Sequence, residues 1–395
     1  MKKLPIGIQT FSEIIKGNYY YVDKTKVLSE LVDSGKYYFL SRPRRFGKSL
    51  FLDTLREVFL GNREYFKDLY LENHWDWEKK HPVIRIDFGG GVLKKTDHLG
   101  KVILEILQEH ADKESLSFRN ETISGRFREL IMGLEKKYSE KVVILVDEYD
   151  KPILDNIANK EIAREMRDGL RNLYSVIKGA DAYIKFVFIT GVSKFSKINL
   201  FSGLNNLQDI TLDRRYATIC GYTEDELSVF QERLKDVNRD EMRLWYNGYN
   251  FLGDSVYNPF DILLFLDQKI FKNYWFETGN PSFLIELIRD NQYNPIDIEH
   301  IEISEESLGA FDVDNIELEA LLFQTGYLTI KEIKSFPSEK VFILTYPNRE
   351  VKKSLTSTIL NFLLNMGAKS NKIKFSFYEI LKENEFNKLR EVFHS

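Results

Sequence analysis

The chain of 395 residues carries 43% hydrophobic and 29% charged residues, with 56 Lys and Arg against 60 Asp and Glu for a formal net charge of −4. This is the balance of a globular chain with a sizeable core and room for two or three domains, and it gives no global pull towards nucleic acid while leaving room for local basic patches. A single cysteine, Cys220, excludes an intrachain disulfide framework and a Cys-based zinc cluster and points to a reducing cytoplasm. The six histidines fall in no His-Glu-x-x-His spacing. No apolar run approaches the roughly 18 to 20 residues of a membrane span, and Met1 to Pro5 lack the apolar segment of a signal peptide.

Residues 4 to 36 read as a short helix around Phe11–Ile15, an extended piece from Tyr19 to Thr25, and a second helix through Val27–Leu31 with Asp23 or Thr25 near its cap. An apolar run, Tyr37 to Leu40, then enters a loop that bends at Pro43 and passes Gly47-Lys48-Ser49. It leaves as an apolar-periodic helix through Leu50, Phe51 and Leu52. Strand, loop and helix in that order predict a phosphate-binding P-loop over Arg42, Pro43, Arg44, Arg45, Phe46, Gly47, Lys48, Ser49 and Leu50. Backbone N–H groups at the helix start point at an anion, Lys48 supplies charge to the terminal phosphates of a nucleotide, and the Ser49 hydroxyl can hold Mg²⁺. The usual first glycine is replaced by Arg42, so Gly-Lys-Ser taken alone also fits an ordinary turn before a helix. The N-terminal tyrosines are expected to pack on the sheet, with stacking on a base as the alternative.

Further on, residues 80 to 88 read as a strand that ends at Gly89-Gly90-Gly91, and helical periodicity follows over 97–109 and 124–138. Strands alternating with helices predict an α/β fold whose mainly parallel sheet is covered on both faces. The β-branched run Val142–Val146 leads into Asp147 and Glu148, the place for a metal-side aspartate and a water-polarising catalytic glutamate; the alternative is a buried strand whose acids cap the next turn. The strand Ala182–Thr190 is expected between the other two, with Thr190 or Ser193 sensing the γ-phosphate and Lys194 or Lys197 adding charge. Arg164, Arg167 and Arg171 read as a solvated or interface face. Residues 207–212 suggest the last strand. Arg214 and Arg215 just after it are candidates to neutralise transition-state charge in their own or a neighbouring subunit, against a reading as salt-bridged surface groups.

Thr223 and Glu226 form a capping-box pattern, and residues 240–290 read as a helical, aromatic lid or linker subdomain. Between Asp297 and Glu319 lie nine Asp and Glu and no Lys or Arg, where a boundary is placed. The remaining pattern is a helix at 318–322, a turn at Gly326, strands over 327–330 and 341–346, and a helix over 350–366, the outline of a winged helix. Glu317 and Glu319 on its first helix would repel phosphates. Docking or sensing is therefore favoured over DNA readout, with Lys331, Lys334, Lys340, Arg349, Lys352 and Lys353 gathered later.

With these pieces in place the chain resembles the bacterial and archaeal AAA-ATPase-like family, P-loop NTPases often joined to a C-terminal nuclease-like domain of the PD-(D/E)XK class. The resemblance rests on Tyr21-Val22-Asp23-Lys24-Thr25, Arg42 to Ser49, Val146-Asp147-Glu148-Tyr149-Asp150, Gly191 to Phe195, Phe201 to Leu207, Trp245 to Tyr249, and Gly326 to Thr329. It also accounts for Arg42, since that family has lost the first glycine. The chain ends about where the nuclease-like domain would begin and has no later Asp…Glu-x-Lys constellation, so no nuclease activity is expected. The organisation expected is an N-terminal segment on the nucleotide site (1–35), a P-loop core (36–222), a helical subdomain (223–300) and a winged-helix-like region (301–395). The function expected is Mg²⁺-dependent ATP hydrolysis that moves the C-terminal region, with a homo-oligomer as the candidate assembly; the rival is a nucleotide-gated interaction module with little turnover, acting with DNA or a nuclease-like domain.

Overall fold

The computed structural model describes residues 1–364 apart from 92, 196–199, 202–203, 205, 277–296, 310–312, 315 and 338. Its centre is a five-stranded sheet of β1 (Tyr37–Ser41), β2 (Val83–Asp87), β3 (Val142–Asp147), β4 (Ile184–Gly191) and β5 (Gln208–Asp209), in the order β2-β3-β4-β1-β5. Every pairing is parallel. β1 and β3 are buried along their whole length, as strands covered on both faces must be, which explains their unbroken apolar sequence. Strand β4 separates the P-loop strand from the Asp-Glu strand, as expected from Thr190. Parallel register then brings the ends of β1, β4, β3 and β2 to one edge, with Leu40 opposite Thr190 and Asp87 opposite Asp147.

The helices before and around the sheet are α1 (Phe11–Lys16), α2 (Thr25–Ser34), α3 (Lys48–Phe59), α4 (Thr96–Lys113), α5 (Ile123–Tyr138), α6 (Lys151–Leu154) and α7 (Lys160–Gly179). Asparagine and threonine start several of them: Thr122 accepts from the Gly125 N–H for α5, and Asn159 from the Ile162 N–H for α7. After the sheet, Thr223 and Glu226 make the expected reciprocal capping box, at 2.8 and 3.3 Å, although the helix it opens is a 3₁₀ turn. Helices α8 (Arg239–Tyr246) and α9 (Pro259–Gln268) follow, the second capped by Asn258 with Pro259 in its first turn.

The hairpin expected near the C-terminus is part of a three-stranded antiparallel sheet, β6 (Ile301–Ser304), β8 (Lys340–Thr345) and β7 (Thr329–Ser335), joined by α10 (Glu305–Gly309), α11 (Leu318–Thr325) and α12 (Arg349–Leu364). Strand β6 lies inside the acidic stretch where a boundary was expected, because Ile301 and Ile303 turn inward while Glu302 faces solvent. Those acids meet the later lysines: Lys334 pairs with Glu302 at 2.6 Å, Lys352 with Glu299 at 2.7 Å, and Lys340 approaches Glu305 at 3.8 Å. The apolar core is shared, since Leu321, Phe323, Val351 and Leu355 belong to the same buried cluster as β1, β3 and β4. The expected end of the last helix at Met366 and the chain from Leu389 to Ser395 lie outside the described residues, as do Lys197 and part of the stretch from Phe201 to Leu207. No helix among the described residues is long and apolar enough to cross a membrane.

At the end of β1 the chain turns on Arg42, which is fully buried. Its Nη1 donates to the carbonyls of Ser41 and Thr211 at 2.9 and 2.8 Å, and its Nη2 to those of Tyr216 and Ala217 at 3.1 and 3.4 Å. The guanidinium lies 3.9 Å from the Phe251 ring centre. Burial pulls its pKa down to about 10, which leaves it charged at neutral pH. Arg42, expected at the phosphates, instead ties β1 to the segment after β5 from inside the protein. Arg42→Ala leaves those carbonyls without a donor and is expected to lower unfolding free energy by about 3 kcal/mol or more, read by urea denaturation.

Candidate functional site

Loop geometry comes first. Gly47 precedes α3 with φ +91°, a left-handed conformation that favours glycine, and Arg45 two residues earlier also has positive φ, at +67°. These two turns carry the chain from β1 into the N-terminus of a 12-residue helix, whose first amide groups have no partner within the helix, an arrangement that suits an anion. The loop opens on a cleft of about 760 Å³ lined by Arg44, Arg45, Phe46, Gly47, Lys48, Ser49 and Leu50 together with Asp87, Asp147 and Glu148. Lys48 is buried, and its Nζ donates to the carbonyls of Arg42 and Pro43, both at 2.9 Å. Burial depresses its pKa, against the raising effect of Asp147, Cys220, Asp150 and Glu148.

The two carboxylates at the end of β3 differ in environment. Asp147 is buried; its Oδ1 accepts from the Thr190 hydroxyl at 2.8 Å and from the Glu148 N–H at 3.1 Å, and its Oδ2 lies 3.6 Å from Arg85 Nη2. Glu148 turns into the cleft from a backbone with φ +49°, a strained conformation for a side chain of this kind and one that concentrates at functional sites. Its pKa is raised, first by burial and then by Asp147, Asp150 and Asp87, against the pull of Lys48. Such a carboxylate is more basic than an ordinary glutamate and better suited to accept a proton from water.

The other expected residues separate. Thr190 is buried behind Asp147 and orients that carboxylate without lining the cleft. Ser193 is turned away: its N–H and its hydroxyl both donate to Asp150 Oδ2 at 2.6 Å, completing a buried turn in which Val192 N–H also joins. Lys194 pairs with Asp209, and its N–H donates to Gln324 Oε1 at 2.7 Å. Arg44 and Arg45 are exposed in the cleft, the second with its guanidinium 4.8 Å from the Phe260 ring centre. Pro43 is outside the cleft, against Gly326. Arg214 and Arg215 are exposed beyond β5 and do not line this cleft; Arg215 is held by Asp213 at 2.6 Å. Arg164 pairs with Asp314.

Several cleft residues were not anticipated. Asp87 and the Gly89-Gly90 turn sit beside Glu148, and Lys151 and Asp155, bonded to each other, close that side. The signal for Asp87 was present, because a strand read as parallel to β3 must end at the same edge. The far wall is Ile8, Gln9, Tyr21 and Val22 from the N-terminal segment, the part of the chain expected beside the loop, joined by Gly221, Tyr222, Pro259, Phe260 and Leu263, which were not expected there. Behind the cleft, Arg85 Nη1 meets Asp53 of α3 at 3.1 Å and its Nη2 meets Asp87 at 3.2 Å.

Comparison with known proteins gives the family. A family model described as Predicted AAA-ATPase matches residues 5–201, from the N-terminal wall through the end of β4. An "Uncharacterized protein in vnfD 5'region" of Azotobacter chroococcum mcd 1 is 49% identical over 394 residues, covering 99% of this chain and 76% of the relative. With the Gly47-Lys48-Ser49 loop and the Asp147-Glu148 strand end lining one cleft, the chain belongs to the predicted AAA-ATPase family.

Proposed function

We propose that the chain binds ATP with Mg²⁺ in this cleft and hydrolyses it, and that nucleotide state moves the C-terminal region against the phosphate loop. The observation that carries this reading is the meeting of Lys48, Ser49, Asp147 and Glu148 in one cleft, with the Thr190 hydroxyl fixed on Asp147. Lys48 exchanges the carbonyls of Arg42 and Pro43 for the β- and γ-phosphate oxygens, and Arg44 and Arg45 add charge at the mouth. The Ser49 hydroxyl and the Asp147 carboxylate are hard oxygen donors of the kind Mg²⁺ takes from a protein when phosphates and water supply the rest. When bound, the ion neutralises charge on the transferring phosphoryl group. Glu148 orients the attacking water and accepts its proton. The N-terminal wall around Ile8, Gln9 and Tyr21 covers the base.

Movement has a direct route. Gly326, with φ +92°, brings the turn after α11 against the loop, where a Cβ on it would come 2.7 Å from Pro43 Cβ. Trp275 Nε1 donates to the Arg44 carbonyl at 3.1 Å, and Gln324 holds the segment after β4 through Lys194. Any rearrangement of the loop on phosphate binding is therefore felt by α11 and Trp275. Arg214 would serve a neighbouring copy if the chain assembles as a homo-oligomer.

Lys48→Ala is expected to abolish ATP binding in calorimetry with Mg²⁺. Glu148→Gln is expected to keep binding and to lose turnover by about 10²-fold or more in a phosphate-release assay; wild-type turnover in that variant removes Glu148 from the mechanism. Because Glu148 must be ionised to act and its pKa is raised from 4.5, turnover should fall with acidification at a higher pH than an ordinary glutamate would give.

A further inference from the structure

Arg85 has no part in the mechanism above, yet it joins carboxylates from three elements around the metal end of the cleft. Its backbone lies against His110, whose Nε2 is 2.9 Å from the Arg85 carbonyl oxygen and 3.2 Å from its nitrogen and bonds one or the other according to its tautomer. The side chain is mostly covered, at 21% exposure. From there one guanidinium reaches Asp53 Oδ1 on α3 at 3.1 Å, Asp87 Oδ2 on β2 at 3.2 Å and Asp147 Oδ2 on β3 at 3.6 Å. Asp53 is buried, stands one helical turn after Ser49, and through its other oxygen accepts the Phe11 N–H of the N-terminal segment at 2.8 Å. Asp147 is held from the opposite side by Thr190.

We propose that Arg85 is a positioning residue that sets the spacing between the Ser49 hydroxyl on α3 and the Asp147 carboxylate on β3, and thereby the affinity for the divalent cation that accompanies ATP. The proposal rests on the reading of the cleft as a Mg²⁺-ATP site. Two protein oxygens on separate elements hold an ion well only if the elements cannot shift relative to one another, and the planar guanidinium spans them with fixed geometry. A purely electrostatic role has the opposite sign: a cation near the site repels an arriving dication, so its loss would tighten metal binding. Arg85 pairs with Asp53, which it shares with Arg56 Nε at 3.2 Å, and with Asp87 at closer range than it approaches Asp147, so its charge is directed mainly away from Asp147 and spacing is taken as the larger effect.

The test is calorimetric ATP binding to the full chain in excess Mg²⁺ and in EDTA, for wild type, Arg85→Gln and Arg85→Lys. Wild type binds more tightly with Mg²⁺. Arg85→Gln keeps its affinity in EDTA and loses about 10- to 100-fold of the affinity gained from Mg²⁺, the range for partners that orient metal ligands. Arg85→Lys keeps the charge and the fold but cannot span three carboxylates, and it loses affinity in the same direction. A Mg²⁺ gain that is unchanged or larger in the folded variants overturns the proposal while leaving the ATP site intact. Absence of ATP binding by wild type in both buffers instead overturns the reading of the cleft and the proposal with it.

Discussion

The buried guanidinium of Arg42 is the constraint on which the site's geometry depends. A phosphate loop must leave its strand sharply and keep its amides directed at an anion, and a conventional loop begins that turn with glycine. Here the turn is held from inside the protein, by the carbonyls of Ser41 on β1, of Thr211 after β5, and of Tyr216 and Ala217 beyond it. The side chain that seemed to damage the loop instead anchors it. Its position leaves Arg44 and Arg45 as the arginines that face the cleft.

From that anchor the remaining order follows by register. Parallel pairing puts the ends of β1, β4, β3 and β2 side by side, so Lys48, Thr190, Asp147 and Asp87 come to one edge without any one of them specifying the others. Electrostatics then divides the carboxylates. Asp147 is fixed by a hydroxyl and an amide with a guanidinium 3.6 Å away, while Glu148 is half-free in a strained turn, its proton affinity raised by burial and acidic neighbours. One acid is suited to hold geometry and the other to take a proton.

Much of this was legible in the residues. The run Val142 to Val146 could only be a buried strand, and its acidic end placed Asp147 and Glu148; Leu40 and Thr190 followed from the same apolar periodicity. What was hidden shares a physical cause, since a side chain's direction is decided by partners distant in sequence. A buried arginine and a phosphate-binding one are written alike, so Arg42 was misplaced. Ser193 looked free because its partner Asp150 lies 43 residues away. Strand β6 was lost in an acidic stretch whose charge is on its outer face. Arg85 stood out in no pattern, because its importance comes from three carboxylates on different elements.

The shared apolar cluster described for β1, β3, β4, α11 and α12 also bears on how the chain comes apart. Two modules with separate cores would melt in two heat-absorption peaks, each with its own heat-capacity step. Here the phosphate-loop sheet and the C-terminal helices bury one another's apolar surface, so loss of either uncovers the other. The regions that the nucleotide is proposed to set in relative motion are thus expected to melt together.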